Sequence, residues 1–339
     1  MKTQAILFTE PHRAILEEVG LPDPTERDIV IDVEVSGVSA GTERWAYLGK
    51  RPELRFPLAP GYLGIGTIRA CGTEAEGRGW RIGQRVNFFR SRFDGELNET
   101  GWMGSHLRQA VVDVCGPRVQ DPGGLCIHWC EPVPDGVRPE VVVLCGLAAV
   151  ALRGIEMAVV PAEARVLVAG LGVIGQSAAQ IAALKGAAVS VMDLDPRRCE
   201  LANRLAGASP LASLAEAGEK AREIGGFDII IDTTSSAAVV NELFGYLTLG
   251  GKFVFQGWYP PPTALNLDRL HQKLPFCFFP CAHTGEAVAA AMRLVGAEFL
   301  RLSDLIDETL QPQDAAAFYE RLAAPGYGVL GAVFDWRKL

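Results

Sequence analysis

The stretch Ala164–Arg198, ARVLVAGLGVIGQSAAQIAALKGAAVSVMDLDPRR, decides the fold. Arg165–Ala169 alternates and is rich in branched apolar side chains, which suits a strand. Gly170, Gly172 and Gly175 then spell G-x-G-x-x-G, and Gln176–Lys185 continues as an alanine-rich helix. A second apolar strand, Ala188–Met192, runs into Asp193 roughly 20 residues beyond the glycines. Each part has a physical task. Gly170 permits a tight turn, Gly172 lets backbone approach a pyrophosphate, and Gly175 lets helix and strand pack closely. The free N–H groups of Val173 and Ile174, at the positive end of the helix dipole, suit phosphate oxygens. Asp193 can accept hydrogen bonds from both hydroxyls of an adenosine ribose and would repel a 2′-phosphate. NAD is therefore the expected cofactor. Arg197 and Arg198 keep NADP open, with Arg198 counted among the cofactor contacts; both also open the next helix, where Asp195 reads as N-cap and Pro196 as its first residue.

Two further apolar strands follow. GGFDIIIDTTSS ends at Asp232, Thr233 and Thr234, and LGGKFVFQGWY closes on Gly257. With the helices between them they make a doubly wound α/β sheet, a Rossmann unit assigned to residues 139–279. Ligands on such sheets lie at the carboxyl ends of the strands, which puts Thr233, Thr234, Gln256, Gly257 and Trp258 toward the nicotinamide half. The apolar run Val141–Leu152 reads as a buried strand leading into a helix. Upstream, short alternating segments such as DIVIDVEVSGVS and GWRIGQRVNFF, separated by Gly and Pro, make residues 1–138 a β-rich domain.

Bulk properties narrow the function. The 339 residues suffice for two domains, and 49% apolar with 21% charged residues is ordinary for a globular enzyme. A net charge of -8 argues against nucleic acid or an anionic membrane as partner. No apolar run reaches the roughly 18 residues that span a bilayer, and the first residues lack a signal-peptide core, so a cytoplasmic location is expected. Of the eight cysteines, Cys71, Cys115, Cys145 and Cys199 stand singly among apolar residues and read as reduced core thiols. Cys126, His128 and Cys130 form one cluster and Cys277, Cys281 and His283 another. Neither has the spacing of a compact zinc site, and no metal is expected at either.

A β-rich unit followed by a glycine-fingerprint α/β unit resembles the medium-chain dehydrogenase/reductase superfamily. The segments GVSAGTERWAYLGKRP, FPLAPGYLGIGTI, GQRV, the glycine fingerprint and GGKFVFQG fall in that family's order. The resemblance implies a chaperonin-10-like catalytic domain that the tail, 280–339, returns to complete. That tail alternates two amphipathic helices with a final strand, YGVLGAVFDW. Departures are informative. Where zinc members carry a cysteine followed closely by Ser/Thr-Asp, this chain has Ser39-Ala40-Gly41-Thr42-Glu43, and Gly-His-Glu has become Gly61-Tyr62-Leu63. The third ligand position falls near Cys145, and the four-cysteine structural lobe is missing. The resemblance is thus to a zinc-free branch, and within it to the bacteriochlorophyllide hydroxyethyl dehydrogenase subfamily, through the GTE, PGY and GWY motifs and the closing FDWRK.

That resemblance implies an NAD-dependent, zinc-independent alcohol dehydrogenase or ketone reductase acting on a sizeable small-molecule substrate, a hydroxyethyl (bacterio)chlorophyllide among the candidates. Without a metal, a side chain must donate to the substrate oxygen. Tyr62 stands at a ligand position and is the first candidate. Thr42 matches the family's hydroxyl relay residue, and Glu43 is a base or an orienting group. Ser39 and His106 are further candidates. Two other functions compete: reduction of an activated C=C bond, as in zinc-free quinone and enoyl reductases, and NAD sensing without catalysis. The apolar strand in PFCFFPCA would leave an unprotected edge, so a homodimer is expected.

Overall fold

The computed structural model describes residues 1–100, 103–116, 129–259, 261–280, 284–324 and 326–339. Cys126, His128, Cys281 and His283 lie outside the described residues. The chain divides into two units. One is Met1–Gly146 with Thr284–Gly296 and Leu302–Leu339; the other is Leu147–His283 with Ala297–Arg301.

In the first unit, β1 (Lys2–Glu10) and β2 (Arg13–Gly20) form an antiparallel hairpin. β3 (Asp28–Gly37) pairs antiparallel with β4 (Leu63–Cys71), which pairs with β5 (Arg85–Phe88). β6 (Gln109–Asp113) joins β3, and β7 (Cys130–Pro132) joins β5. Helix α1 (Ala40–Tyr47) follows β3. Alternation puts Ile29, Ile31 and Val33 of β3 into a core shared with Ala5, Phe8, Ile68 and Phe88.

The second unit is a parallel sheet of β8 (Arg165–Ala169), β9 (Ala188–Met192), β10 (Ser209–Pro210), β11 (Phe227–Asp232), β12 (Leu247–Phe255) and β13 (Phe276–Phe278). Their order is β10-β9-β8-β11-β12-β13, with every pairing parallel. The chain steps outward twice from β8, then returns to β8's other side and steps outward again. This is the doubly wound dinucleotide-binding order, whose ligand crevice opens between β8 and β11 at their carboxyl ends. Helices α2 (Val173–Leu184) and α3 (Pro196–Ala206) connect the first three strands.

The tail completes the first unit. β14 (Glu308–Leu310) precedes helix α4 (Ala315–Ala323), and β15 (Ala332–Asp335) inserts between β14 and β3. Val141–Leu152 runs into a helix as expected, but no strand opens it. Pro139–Val142 and Cys145–Met157 are helical, and Val141–Val150 is buried throughout. Complete burial erases the periodicity that separates strand from helix, and Pro139 at the first helical position starts the turn.

Candidate functional site

The glycine turn after β8 is built as its residues dictate. Gly170 has φ +84°, and a Cβ there would stand 2.6 Å from Thr233 Oγ1. Gly172 is the N-cap of α2, in extended backbone, and a Cβ on it would meet nothing within 4 Å. A Cβ on Gly175 would lie 1.9 Å from the Gly170 carbonyl oxygen, so α2 can start against the turn only with glycine there. Val173 and Ile174 occupy the first turn, where amide groups have no partner inside the helix.

Asp193 closes the other side. Its Oδ2 accepts the Leu171 amide at 2.6 Å and its Oδ1 the Asp195 amide at 2.9 Å. The carboxylate is thereby fixed against the glycine turn, with one lone pair on each oxygen remaining. Arg198 approaches it to 3.9 Å through Nη1. Arg197 pairs instead with Asp195 at 2.7 Å, and Asp195 caps α3 by accepting the Arg197 amide at 3.0 Å.

Thr233 donates its hydroxyl to the Gly170 carbonyl at 2.8 Å and so ties β11 to the turn. Thr234 donates to Asp232 Oδ1 at 2.7 Å, and Tyr259 donates to Asp232 Oδ2. Burial pushes the Asp232 carboxyl up, against the pull of these donors. Gly257 fits because a Cβ would stand 2.7 Å from Ser235 Oγ, and Gln256 donates into the Val150 carbonyl at 2.7 Å.

In the first unit the five residues Ser39, Thr42, Glu43, Tyr62 and His106 come together in one polar cluster. Tyr62 Oη donates to Ser39 Oγ at 2.7 Å, and Thr42 hydrogen-bonds the same phenol. Burial pushes the Tyr62 phenol up to about 12, so it is a protonated donor at neutral pH. Ser39 is the N-cap of α1, yet its hydroxyl caps nothing. Glu43 reaches back instead, and its Oε1 accepts the Ser39 amide at 2.8 Å. Glu43 Oε2 accepts Tyr319 Oη at 2.6 Å and lies 3.0 Å from His106 Nε2. His106 Nδ1 is 2.6 Å from Ser36 Oγ, which accepts the Trp336 indole at 2.8 Å. Glu43 and His106 are 0% and 1% exposed.

With Glu43 taken as a carboxylate, the donor inventory gives an arrangement that pairs every group. Trp336 Nε1 can only donate, so Ser36 Oγ must accept from it and has its own hydrogen to give. An ionised Glu43 accepts only, so His106 Nε2 carries a proton. The remaining Nδ1 lone pair then takes the Ser36 hydrogen, and neutral His106 satisfies every member of the chain. Gly61, at φ +85°, makes room: a Cβ there would be 2.6 Å from His106 Cδ2. Ser36, Tyr319 and Trp336 escaped the sequence reading. Trp336 sits in the closing FDWRK motif, but Ser36 and Tyr319 carry no local signal.

A family profile described as zinc-binding dehydrogenase matches residues 173–277. A relative from Cereibacter sphaeroides, 2-desacetyl-2-hydroxyethyl bacteriochlorophyllide A dehydrogenase, is 25% identical over 347 residues, covering 99% of each chain. A solved structure from Sinorhizobium meliloti, described as a zinc-binding dehydrogenase bound to NADP, superposes with TM-score 0.81 at 18% identity over 99% of each chain. Another from Escherichia coli, described as a short chain alcohol dehydrogenase complexed with NADH, gives 0.81 at 19% identity over 98% of this chain and 99% of its own. Over its full length this chain is thus similar to zinc-type alcohol dehydrogenase-like proteins of the medium-chain dehydrogenase/reductase type.

At the position where the sequence comparison places zinc ligands, this chain carries hydroxyls. The matched profile lies outside the segments carrying Ser39 and Tyr62. Those two residues bond each other, and Cys145, near the third position, is buried, its thiol pushed far up by desolvation. Among the described residues, no three His, Cys, Asp or Glu side chains are grouped to hold a metal ion. A catalytic zinc takes three protein ligands, and these residues do not fit one. No helix among the described residues is long and apolar enough to cross a membrane.

Proposed function

We propose that this protein is a nicotinamide-dependent oxidoreductase that interconverts a secondary alcohol and a ketone without catalytic zinc. The observation that carries the reading is the 2.7 Å hydrogen bond between Tyr62 and Ser39, two hydroxyls standing where zinc members place ligands. A bound nicotinamide supplies the hydride donor or acceptor. In reduction, Ser39 Oγ gives its hydrogen to the developing alkoxide, Tyr62 Oη refills Ser39, Thr42 refills Tyr62, and half-buried Thr42 takes its replacement proton from solvent water. Oxidation runs the same hydroxyl relay backward, carrying the alcohol proton away. One such donor is worth roughly a hundredfold or more in rate.

The cofactor is read as NAD. Asp193 is anchored by two backbone amides and cannot swing away from a 2′-phosphate, while Arg197 is engaged by Asp195. The full-length likeness to the Cereibacter sphaeroides dehydrogenase makes a hydroxyethyl-bearing (bacterio)chlorophyllide the first substrate to try. We also read the protein as a homodimer, because β13 is an edge strand that opens on exposed Phe276 and is followed by exposed Phe279. Its location is read as cytoplasmic.

The test is NADH binding by fluorescence, then turnover on ketone and alcohol pairs with the wild type and Ser39→Ala. The expected result is an unchanged NADH Kd with kcat lowered roughly a hundredfold. Equal kcat in the variant would remove Ser39 from the relay. Binding without turnover on any alcohol, ketone or enone would favour a sensor.

A further inference from the structure

The relay serine is not held by its own side chain. An N-cap serine ordinarily uses its hydroxyl on the N–H of the second or third helical residue. Here that hydroxyl turns to Tyr62, and Glu43 carries the backbone of Ser39. Glu43 in turn is buried, and its carboxylate is met by three hydrogen-bond donors, the Ser39 amide, Tyr319 Oη and His106 Nε2. Two of the three come from elsewhere in the chain: Tyr319 on α4 and His106 after β5. His106 is oriented by Ser36, and Ser36 by Trp336, which follows β15. A buried carboxylate missing one such donor loses a charge-assisted hydrogen bond and reorients or takes up a proton.

We infer that Tyr319 and Ser36 are positioning residues: with Trp336 they lock Glu43 as an anion and His106 as its Nε2–H tautomer, and through them the tail sets the pose of the Ser39 hydroxyl. The inference rests on the reading of Ser39 as proton donor. Its structural half stands apart from activity and is tested apart from it. Tyr319 is enclosed by Phe8, Tyr47, Phe318 and Phe334, so Tyr319→Phe removes one hydroxyl and leaves the ring packing in place.

The experiment uses the full chain. With 15N-histidine labelling, the imidazole of His106 is read by NMR, assigned from its loss in His106→Gln. The wild type should show a protonated Nε2 and a bare Nδ1 that accepts a hydrogen bond, and Ser36→Ala should abolish that single-tautomer signature. Amide hydrogen exchange at Ser39 is then compared in wild type and Tyr319→Phe. The variant should speed Ser39 exchange roughly tenfold, the equivalent of one hydrogen bond to a charged group, with Ile31 and Ile65 in β3 and β4 unchanged. On an active substrate, kcat of Tyr319→Phe should fall about tenfold with the NADH Kd unmoved. A His106 protonated on Nδ1, or equal acceleration at Ser39 and the strand amides, overturns the inference even in a protein with no turnover. The predicted His106 signature and faster Ser39 exchange, with kcat unaffected in Tyr319→Phe, would leave Ser39 held as described and overturn its catalytic use, whereas Ser39 exchange unchanged in Tyr319→Phe overturns the positioning role.

Discussion

Replacing Glu43 by glutamine tests the cluster most severely. The side chains have nearly the same shape, so the change is one of charge and donor count. Three donors converge on the carboxylate: the Ser39 amide at 2.8 Å on Oε1, and Tyr319 Oη at 2.6 Å with His106 Nε2 at 3.0 Å on Oε2. A glutamine NH2 in the Oε1 position faces the Ser39 N–H, two donors with no acceptor. In the Oε2 position it faces a phenol and an imidazole. Tyr319 can then accept, but His106 must shift its proton to Nδ1, and the Ser36 hydrogen loses its acceptor. Either arrangement breaks one hydrogen bond to a charged group and weakens the others to neutral strength, a loss of roughly 2–4 kcal/mol. Removing the buried charge relieves part of its desolvation, which keeps the loss from being larger. Urea unfolding followed by tryptophan fluorescence reads this in the first unit, where Trp45, Trp80, Trp129 and Trp336 lie. A midpoint unchanged to within about 0.5 kcal/mol at constant m would mean the three donors do not depend on an anion, and the proton assignment above would be wrong.

Other perturbations separate the two units. Tyr62 has an ordinary value of 10.0 and is raised by burial to about 12, so its contribution to stability is complete below pH 10 and is lost as pH climbs toward 12. Alkaline unfolding of Tyr62→Phe should therefore be flatter than wild type across that interval, by up to roughly 2–3 kcal/mol; parallel curves would contradict the buried phenol. Gly175→Ala places a Cβ 1.9 Å from the Gly170 carbonyl oxygen, which forces the turn and α2 apart. It should weaken NADH binding by at least tenfold and destabilise the second unit by about 1–3 kcal/mol, measured by fluorescence titration and thermal melting. Asp193→Ser removes the carboxylate that would oppose a 2′-phosphate. Its Kd ratio for NADPH over NADH should drop about tenfold or more, and a ratio equal to wild type would take the choice of cofactor away from Asp193.

The second unit was open to reading because its signals are local. β8 and β9 run over the apolar residues that mark them, and Gly170 and Gly175 each meet a steric demand within the turn or from the adjacent strand β11, while Gly172 faces open space. Asp195 and Pro196 announce α3 by their own chemistry. Val141–Leu152 misled because a fully buried helix shows no polar face. In the first unit, motif positions drew attention to Ser39, Thr42, Glu43, Tyr62 and His106, but not to what joins them. Glu43 and Tyr319 are 276 residues apart, and Ser36 and Trp336 are 300 apart. Contacts of that range leave no periodicity or spacing behind. Tyr319 reads as one more apolar residue of an amphipathic helix, beside Phe318 and Leu322, until the fold brings its hydroxyl to Glu43.

The most direct measurement is metal content set against rate. The purified, active protein is analysed for zinc and other transition metals, and its turnover is measured before and after exhaustive chelation. Hydroxyl-based proton transfer through Ser39 and Tyr62 predicts far less than one metal ion per chain and a rate unaltered by the chelator. One zinc per chain, whose removal abolishes turnover and whose return restores it, would contradict the account.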